Sequence, residues 1–146
     1  MAHKREQILD AVVALLTGLT TTGTNVKRGR VHNWKESQIP AISVYQGSDS
    51  PQPDSPFDKI DSHLTVITEY HVKTSAAQVD EVLNTIDVEV IKALQANHTL
   101  GLAFVYDTEE GDAEEPDLSG EANKPTATLR KTWVVKYQRS RTDPEA

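Results

Sequence analysis

The sequence predicts an α+β domain: a mostly antiparallel sheet of about five strands with two amphipathic helices packed on one face. Two segments repeat apolar residues at three- and four-residue steps, which is the helical period. Several others alternate apolar and polar residues at the period of two expected of strands. Two helical stripes cannot hide against each other and still cover five strands, so both are expected on one side of the sheet. The other side is then left to solvent or to another subunit. A chain of 146 residues fits one domain, 1–146, and can bury roughly 68–70% of the surface its unfolded form exposes.

The elements follow in order. Residues 4–16 place Ile8, Val12, Leu15, Leu16 and, just beyond, Leu19 on one stripe, and Gly18 with the threonine-rich run to Asn25 ends the helix. Residues 26–31 read as a short strand, with Gly29 marking a bulge or the close approach of another backbone. Residues 39–45, Ile-Pro-Ala-Ile-Ser-Val-Tyr, read as a strand with Pro40 at its start, because proline cannot donate to the ladder. Residues 47–58 hold three prolines, three serines and three aspartates and are expected to form a long loop. The strand after it alternates most clearly: Leu64, Val66, Thr68, Tyr70 and Val72 against His63, Thr65, Ile67, Glu69 and His71. A capping box, Ser75 with Gln78, opens the second helix. Its stripe is Val79, Val82, Leu83, Ile86, Val90, Ala93 and Leu94, ending near Ala96. Strands at 102–106 and 126–137 close the order. In the last, Ala127, Leu129, Lys131, Trp133, Val135 and Tyr137 share a face. The tail, 140–146, is polar and expected to fray.

Charge is concentrated in one place. Residues 107–121 carry Asp107, Glu109, Glu110, Asp112, Glu114, Glu115, Asp117 and Glu121 with no base among them. The chain has a net charge of −7; without these eight groups, 14 acids remain against 15 bases. A hairpin needs only about two to five connecting residues, so residues 107–124 are expected to form a long, self-repelling acidic loop, either disordered or shaped to meet something else. The one basic cluster, Lys27, Arg28, Arg30 and Lys35, reads as a solvated strand edge or a subunit contact. The overall acidity weighs against duplex binding, which relies on a basic face to release counterions.

Chemistry-bearing motifs are sparse. No cysteine is present, which removes disulfides, thiolate metal sites and cysteine nucleophiles. No apolar run approaches the ~20 residues of a membrane helix, and the polar start of the chain suggests no signal peptide and cytoplasmic synthesis. GxSxG, P-loop and GxGxxG patterns are absent, and Ser43 and Ser62 lack a neighbouring His/Asp order that would mark a nucleophile. His63, Glu69 and His71 share one strand face and raise a two-histidine, one-carboxylate metal site, against the reading of a solvated sheet face. No cofactor or metal is expected. Asp107, Glu109 and Asp112 do not complete a calcium-loop frame. Trp133 reads as core. Trp34, in a polar stretch among basic residues, reads as an interface anchor or as a cover on the sheet edge.

The helix at 4–16, the Val26-Lys27-Arg28-Gly29-Arg30-Val31 run, the 39–45 strand with its Ser/Asp/Pro loop, and the long alternating strand before a capped helix together resemble the tail terminator proteins of long non-contractile-tailed bacteriophages, the lambda minor tail protein U type. That resemblance implies a non-enzymatic virion protein forming a ring, usually a hexamer, at the head-proximal end of the tail tube. Its partners would be further copies of itself, the major tail tube protein and a head-completion or connector protein. DNA would pass through the lumen without specific binding, and no membrane is involved. Arg28, Arg30, Trp34, Tyr45, Asp49 and Asp54 are the expected subunit or partner contacts. Asp107, Glu109, Glu110, Asp112, Glu114 and Glu115 would face the lumen, where they would repel phosphates, or a neighbour. The competing readings are another connector or stopper ring of the neck, a small metal-dependent enzyme using His63, Glu69 and His71, and a decoy whose acidic segment mimics nucleic acid.

Overall fold

The computed structural model describes residues 2–29, 34–120 and 125–146. The elements are α1 (Lys4–Leu16), β1 (Val26–Arg28), β2 (Ala41–Pro51), β3 (Lys59–Lys73), α2 (Val79–Ala96), β4 (Val105–Ala113), β5 (Asp117–Ser119) and β6 (Thr126–Ser140), with 3₁₀ turns at Glu36–Gln38 and Ala76–Gln78. One sheet runs in the order β1-β2-β3-β6-β4, and β5 pairs with β6 beside β4. Among the described strands only β1–β2 is parallel. The α+β architecture expected from the periodicities is the one observed, with six strands where about five were expected.

The two longest strands form its centre. β3 and β6 pair without interruption from Lys59↔Ser140 to Lys73↔Thr126. The register sets Leu64 opposite Val135, Val66 opposite Trp133 and Tyr70 opposite Leu129, so the alternating apolar sets of both strands land on one face. α1 buries Ile8, Leu9, Val12 and Leu16 there, and α2 buries Val79, Leu83, Ile86, Val90 and Leu94. All join one core with Ile42, Val44, Trp133, Val135 and Tyr137. The indole N–H of buried Trp133 donates to Thr68 Oγ1 at 3.2 Å, which satisfies the one polar atom that this ring takes inside.

Several expected boundaries shift. The acidic segment is no loop: Asp107–Ala113 belong to β4 and Asp117–Ser119 form β5, both paired with β6. Carboxylates have low strand propensity, but here Asp107 sits across from Lys136, and Glu109 and Glu110 reach Lys136 and Lys131 on the diagonal; opposite charges in such cross-strand positions stabilise a pair. Likewise, the 47–58 loop shrinks to residues 52–58, because β2 continues to Pro51 past a bulge between Gln46 and Asp49. The 102–106 strand starts only at Val105, after a turn held by Leu102 N–H to Thr99 O at 3.0 Å. The capping box at Ser75 does not form: α2 begins at Val79 after the 3₁₀ turn, with no side-chain cap. In the tail, Pro144 O accepts the Lys4 N–H at 3.0 Å, a contact with the start of α1. β1 ends where Gly29, at φ +117°, donates to Val44 O at 2.9 Å; Arg30 and Val31 lie outside the described residues.

Candidate functional site

The sheet has two free edges among the described residues, and their charges differ. On the first edge, Lys27 is exposed and holds its ammonium 5.1 Å from the centre of the Trp34 ring, a cation–π distance. Lys35, next to Trp34 in the chain, is also exposed. Arg28 turns to α1, reaching Glu6 at 2.6 Å and Asp10 at 3.0 Å. The Glu6 bond holds the Arg28 guanidinium above its ordinary value, and Arg28 in return lowers the Glu6 carboxyl.

On the far edge the acids of β4 point to both sides of the sheet. Glu109 meets Lys136 at 2.7 Å and Glu114 meets Arg130 at 3.4 Å on the open face. Glu110 turns under the sheet to Lys131, which Asp87 of α2 also approaches at 3.2 Å. Asp107 lies 3.4 Å from His98. Asp112, Glu115 and Asp117 are exposed. Glu121 lies outside the described residues.

Lys131 is the group that sequence reasoning passed over. Its side chain is 3% exposed, between α2 and β4, with its ammonium 5.3 Å from the Trp133 ring. Asp87 accepts the Tyr70 hydroxyl at 2.8 Å with its other oxygen. Burial, reinforced by Asp87, holds the Tyr70 phenol far above its ordinary value. The signal was present in the sequence, since a lysine stood in the apolar register of the last strand.

The open face carries a second polar cluster. Tyr45 donates to Glu69 Oε2 at 2.8 Å and Arg130 Nε lies 3.2 Å from the same oxygen. Burial and then Glu69 push the Tyr45 phenol up. Ser43 Oγ is 3.0 Å from His71 Nε2 and receives the Trp34 indole N–H at 3.1 Å. The β2–β3 register therefore brings together a serine and a histidine that sequence spacing kept apart. The arrangement is not that of an acyl-transfer triad. Glu69 approaches the same His71 nitrogen as Ser43, at 3.7 Å, whereas a triad needs the carboxylate on the other nitrogen; that one faces Thr128 Oγ1 at 3.5 Å.

The metal reading fails on distance. His63 and His71 are eight residues apart on the uninterrupted strand β3, about 26 Å at the rise of a strand, so one ion cannot bridge them. No group of three ligating side chains gathers among the described residues.

Of the contact residues expected from the resemblance, Trp34 covers the open face beside β2, and Tyr45 is buried in the Glu69 cluster. Asp49 faces inward: it accepts the Tyr137 hydroxyl at 2.6 Å and Ser62 Oγ at 2.5 Å, with Arg5 Nε at 3.2 Å. Burial and Asp49 push the Tyr137 phenol up to about 12. Asp54 is exposed in the shortened loop, and Arg30 lies outside the described residues. No helix among the described residues is long and apolar enough to cross a membrane.

No protein-family model matches this chain, and no curated protein matches it. Among solved structures it is similar to a chain of the "Virion of native gene transfer agent (GTA) particle", with 15% sequence identity, a TM-score of 0.49, and coverage of 91% of this chain and 90% of that one.

Proposed function

We propose that this protein is a structural, ring-forming virion component of the tail-terminator type. The observation that carries the reading is the segregation of exposed charge to opposite edges of one sheet: Lys27 of β1 on one side, the acids of β4 and β5 on the other. A ring needs a heterologous interface, two different patches per subunit that meet after rotation. Free sheet edges of opposite sign meet that requirement, and like edges repel, which discourages the two-fold dimer. The sequence resemblance supplies the setting. The ring sits on the head-proximal end of the tail tube, one rim matching the tube subunit and the other receiving a head-completion protein. Growth stops because the second rim does not repeat the tube contact. The polar clusters of the open face, closed within themselves through Glu69, His71 and Arg130, act as structure in this reading and not as a reaction centre.

The test is electron microscopy of tubes grown from the tube subunit with and without this protein. Capped tubes of limited length are expected when it is present. Tubes of unchanged length, with this protein remaining monomeric in the supernatant, would overturn the proposal.

A further inference from the structure

Resting on the ring reading, we infer that the end of the sheet where β3 begins and β6 ends is a docking site for an acidic segment of a different virion protein. Four cations gather there: Lys4 at the start of α1, Lys59 at the start of β3, Arg139 at the end of β6 and Arg141 just past it. Lys59 pairs with Ser140, which sets the two strand ends level. Three of the cations are positioned by backbone carbonyls. Lys4 Nζ donates to Gln138 O, a guanidinium N–H of Arg139 to Ser140 O, and Arg141 Nε to Phe57 O, each at 3.0 Å. Among the described residues none of the four has a carboxylate in ion-pair contact, whereas Arg5, Arg28, Arg130, Lys131 and Lys136 each meet one at 3.2 Å or less. Burial, then the charge of Lys59, holds the Lys4 ammonium below its ordinary value against the pull of Asp143. The charge gathered at this end is therefore ordered but not neutralised by direct pairing.

Lys4, Lys59 and Arg139 line one cleft of about 330 Å³, with Phe104 and Tyr106 as its aromatic wall. The Lys4 ammonium stands 4.6 Å from the centre of the Phe104 ring. Asp61 accepts the Tyr106 hydroxyl at 3.1 Å and the Gln138 amide at 3.0 Å, which fixes that wall. Lys59 also borders a second groove beside Phe57 and Arg141. The Phe57 ring is 96% exposed, and aromatic rings are the common anchors of protein contacts. The acids of β5 in the same chain cannot fill the cleft: β5 pairs with β6 no further than Thr128, eleven residues from Arg139, about 36 Å at the rise of a strand. Copies joined at the sheet edges meet along β1 and β4, so the strand ends face another component. A cleft of this size takes one or two side chains, whereas single-stranded nucleic acid needs a groove tracking about four or more nucleotides, and the net charge of −7 repels it. A glutamate or aspartate next to an apolar residue fits, its carboxylate on the cations in charge-assisted hydrogen bonds and its neighbour on Phe104 or Phe57.

The probe is a fluorescein-labelled peptide of glutamate pairs separated by single phenylalanines, followed by fluorescence anisotropy at low ionic strength. Wild type should bind it, and the double variant Lys59→Gln with Arg139→Gln should bind at least about tenfold more weakly. Lys35→Gln, which removes an exposed cation elsewhere, should bind as wild type does. Circular dichroism checks that each variant is folded. If the double variant is not, Lys59→Gln alone replaces it, since the Lys59 ammonium makes no hydrogen bond among the described residues, and a loss of about threefold is expected from one half-exposed charge. No binding by wild type, equal binding by the cleft variants, or a single-stranded oligonucleotide that displaces the peptide at lower concentration would overturn the proposal. So would self-association of wild type that the cleft variants lose in analytical ultracentrifugation, which would assign the cleft to a second copy. The tube experiment stands apart. Capped tubes with a cleft that binds nothing remove this site and leave the ring reading, whereas uncapped tubes with intact peptide binding remove the ring reading and leave the acidic-segment site.

Discussion

Arg130 and Lys131 are neighbours on β6, each between two carboxylates, yet they belong to different environments. Arg130 lies on the open face with Glu69 and Glu114, its side chain 37% exposed. Lys131 points the other way, under α2, with Asp87 and Glu110 and 3% exposure. The period of two in a strand puts consecutive residues on opposite faces, so one peptide bond separates a screened surface pair from a buried one. The acidic edge is thus fastened from both sides, by a largely exposed pair on the open face and by a buried lysine under α2.

The largest effect should come from Lys131→Ala. It leaves Asp87 and Glu110 facing each other without their cation and opens a space beside Trp133. Removing one partner of a buried pair costs about 3–5 kcal/mol, and the midpoint of urea unfolding should fall accordingly. Lys131→Met should recover much of that loss, since it refills the volume, and Glu110 can turn to water from a site already 45% exposed. Equal destabilisation by both variants would show that charge and not packing governs the site.

Gly111 comes next. A Cβ there would lie 2.5 Å from Thr132 Oγ1 and 2.8 Å from its carbonyl oxygen, in the bulge between Glu110 and Ala113. Gly111→Ala should cost about 1–3 kcal/mol through forced displacement of β4. Hydrogen exchange should rise in β4 before it rises in β3. Uniform loss of protection across the sheet would contradict the view that the bulge is local.

Arg130→Ala should be milder, at most about 1 kcal/mol, because solvent screens a pair at this exposure. The same urea titration measures it. A loss as large as that of Lys131→Ala would erase the contrast between the two faces.

The smallest effect concerns pH. His3 caps α1 through Nδ1, which accepts the Arg5 N–H at 3.0 Å. Burial first, then the charges of Arg5 and Arg139, lower its pKa below the ordinary 6.5. The folded state thus disfavours the protonated ring. The stability this contributes is present above pH 6.5 and is lost as pH falls from there through the lowered folded value. A modest drop in melting temperature is expected between pH 7 and 5, and it should vanish in His3→Asn, whose amide oxygen caps at any pH. An identical drop in that variant would remove His3 as the cause.

Both helices, β3 and β6 were legible because each satisfies one period over many residues, and their alternation put Trp133, Val66 and Tyr70 on a common face. The acidic strands were not. A run of carboxylates carries no apolar period, and what fastens Glu109, Glu110 and Glu114 is pairing with Lys136, Lys131 and Arg130, more than a dozen residues later in the chain. Asp49 was hidden for the same reason. In a Gly/Ser/Asp/Pro stretch it reads as a loop residue, and only the bulge in β2 turns it towards Tyr137 and Ser62.

Local order along the chain, then, settled the two helices, the central strands and the face that they bury, because periodicity is a property of neighbouring residues. It also settled that charge gathers in one segment. Tertiary structure decided where that charge goes. Cross-strand register, which depends on residues far apart, folded the acids into an edge and turned one lysine inward.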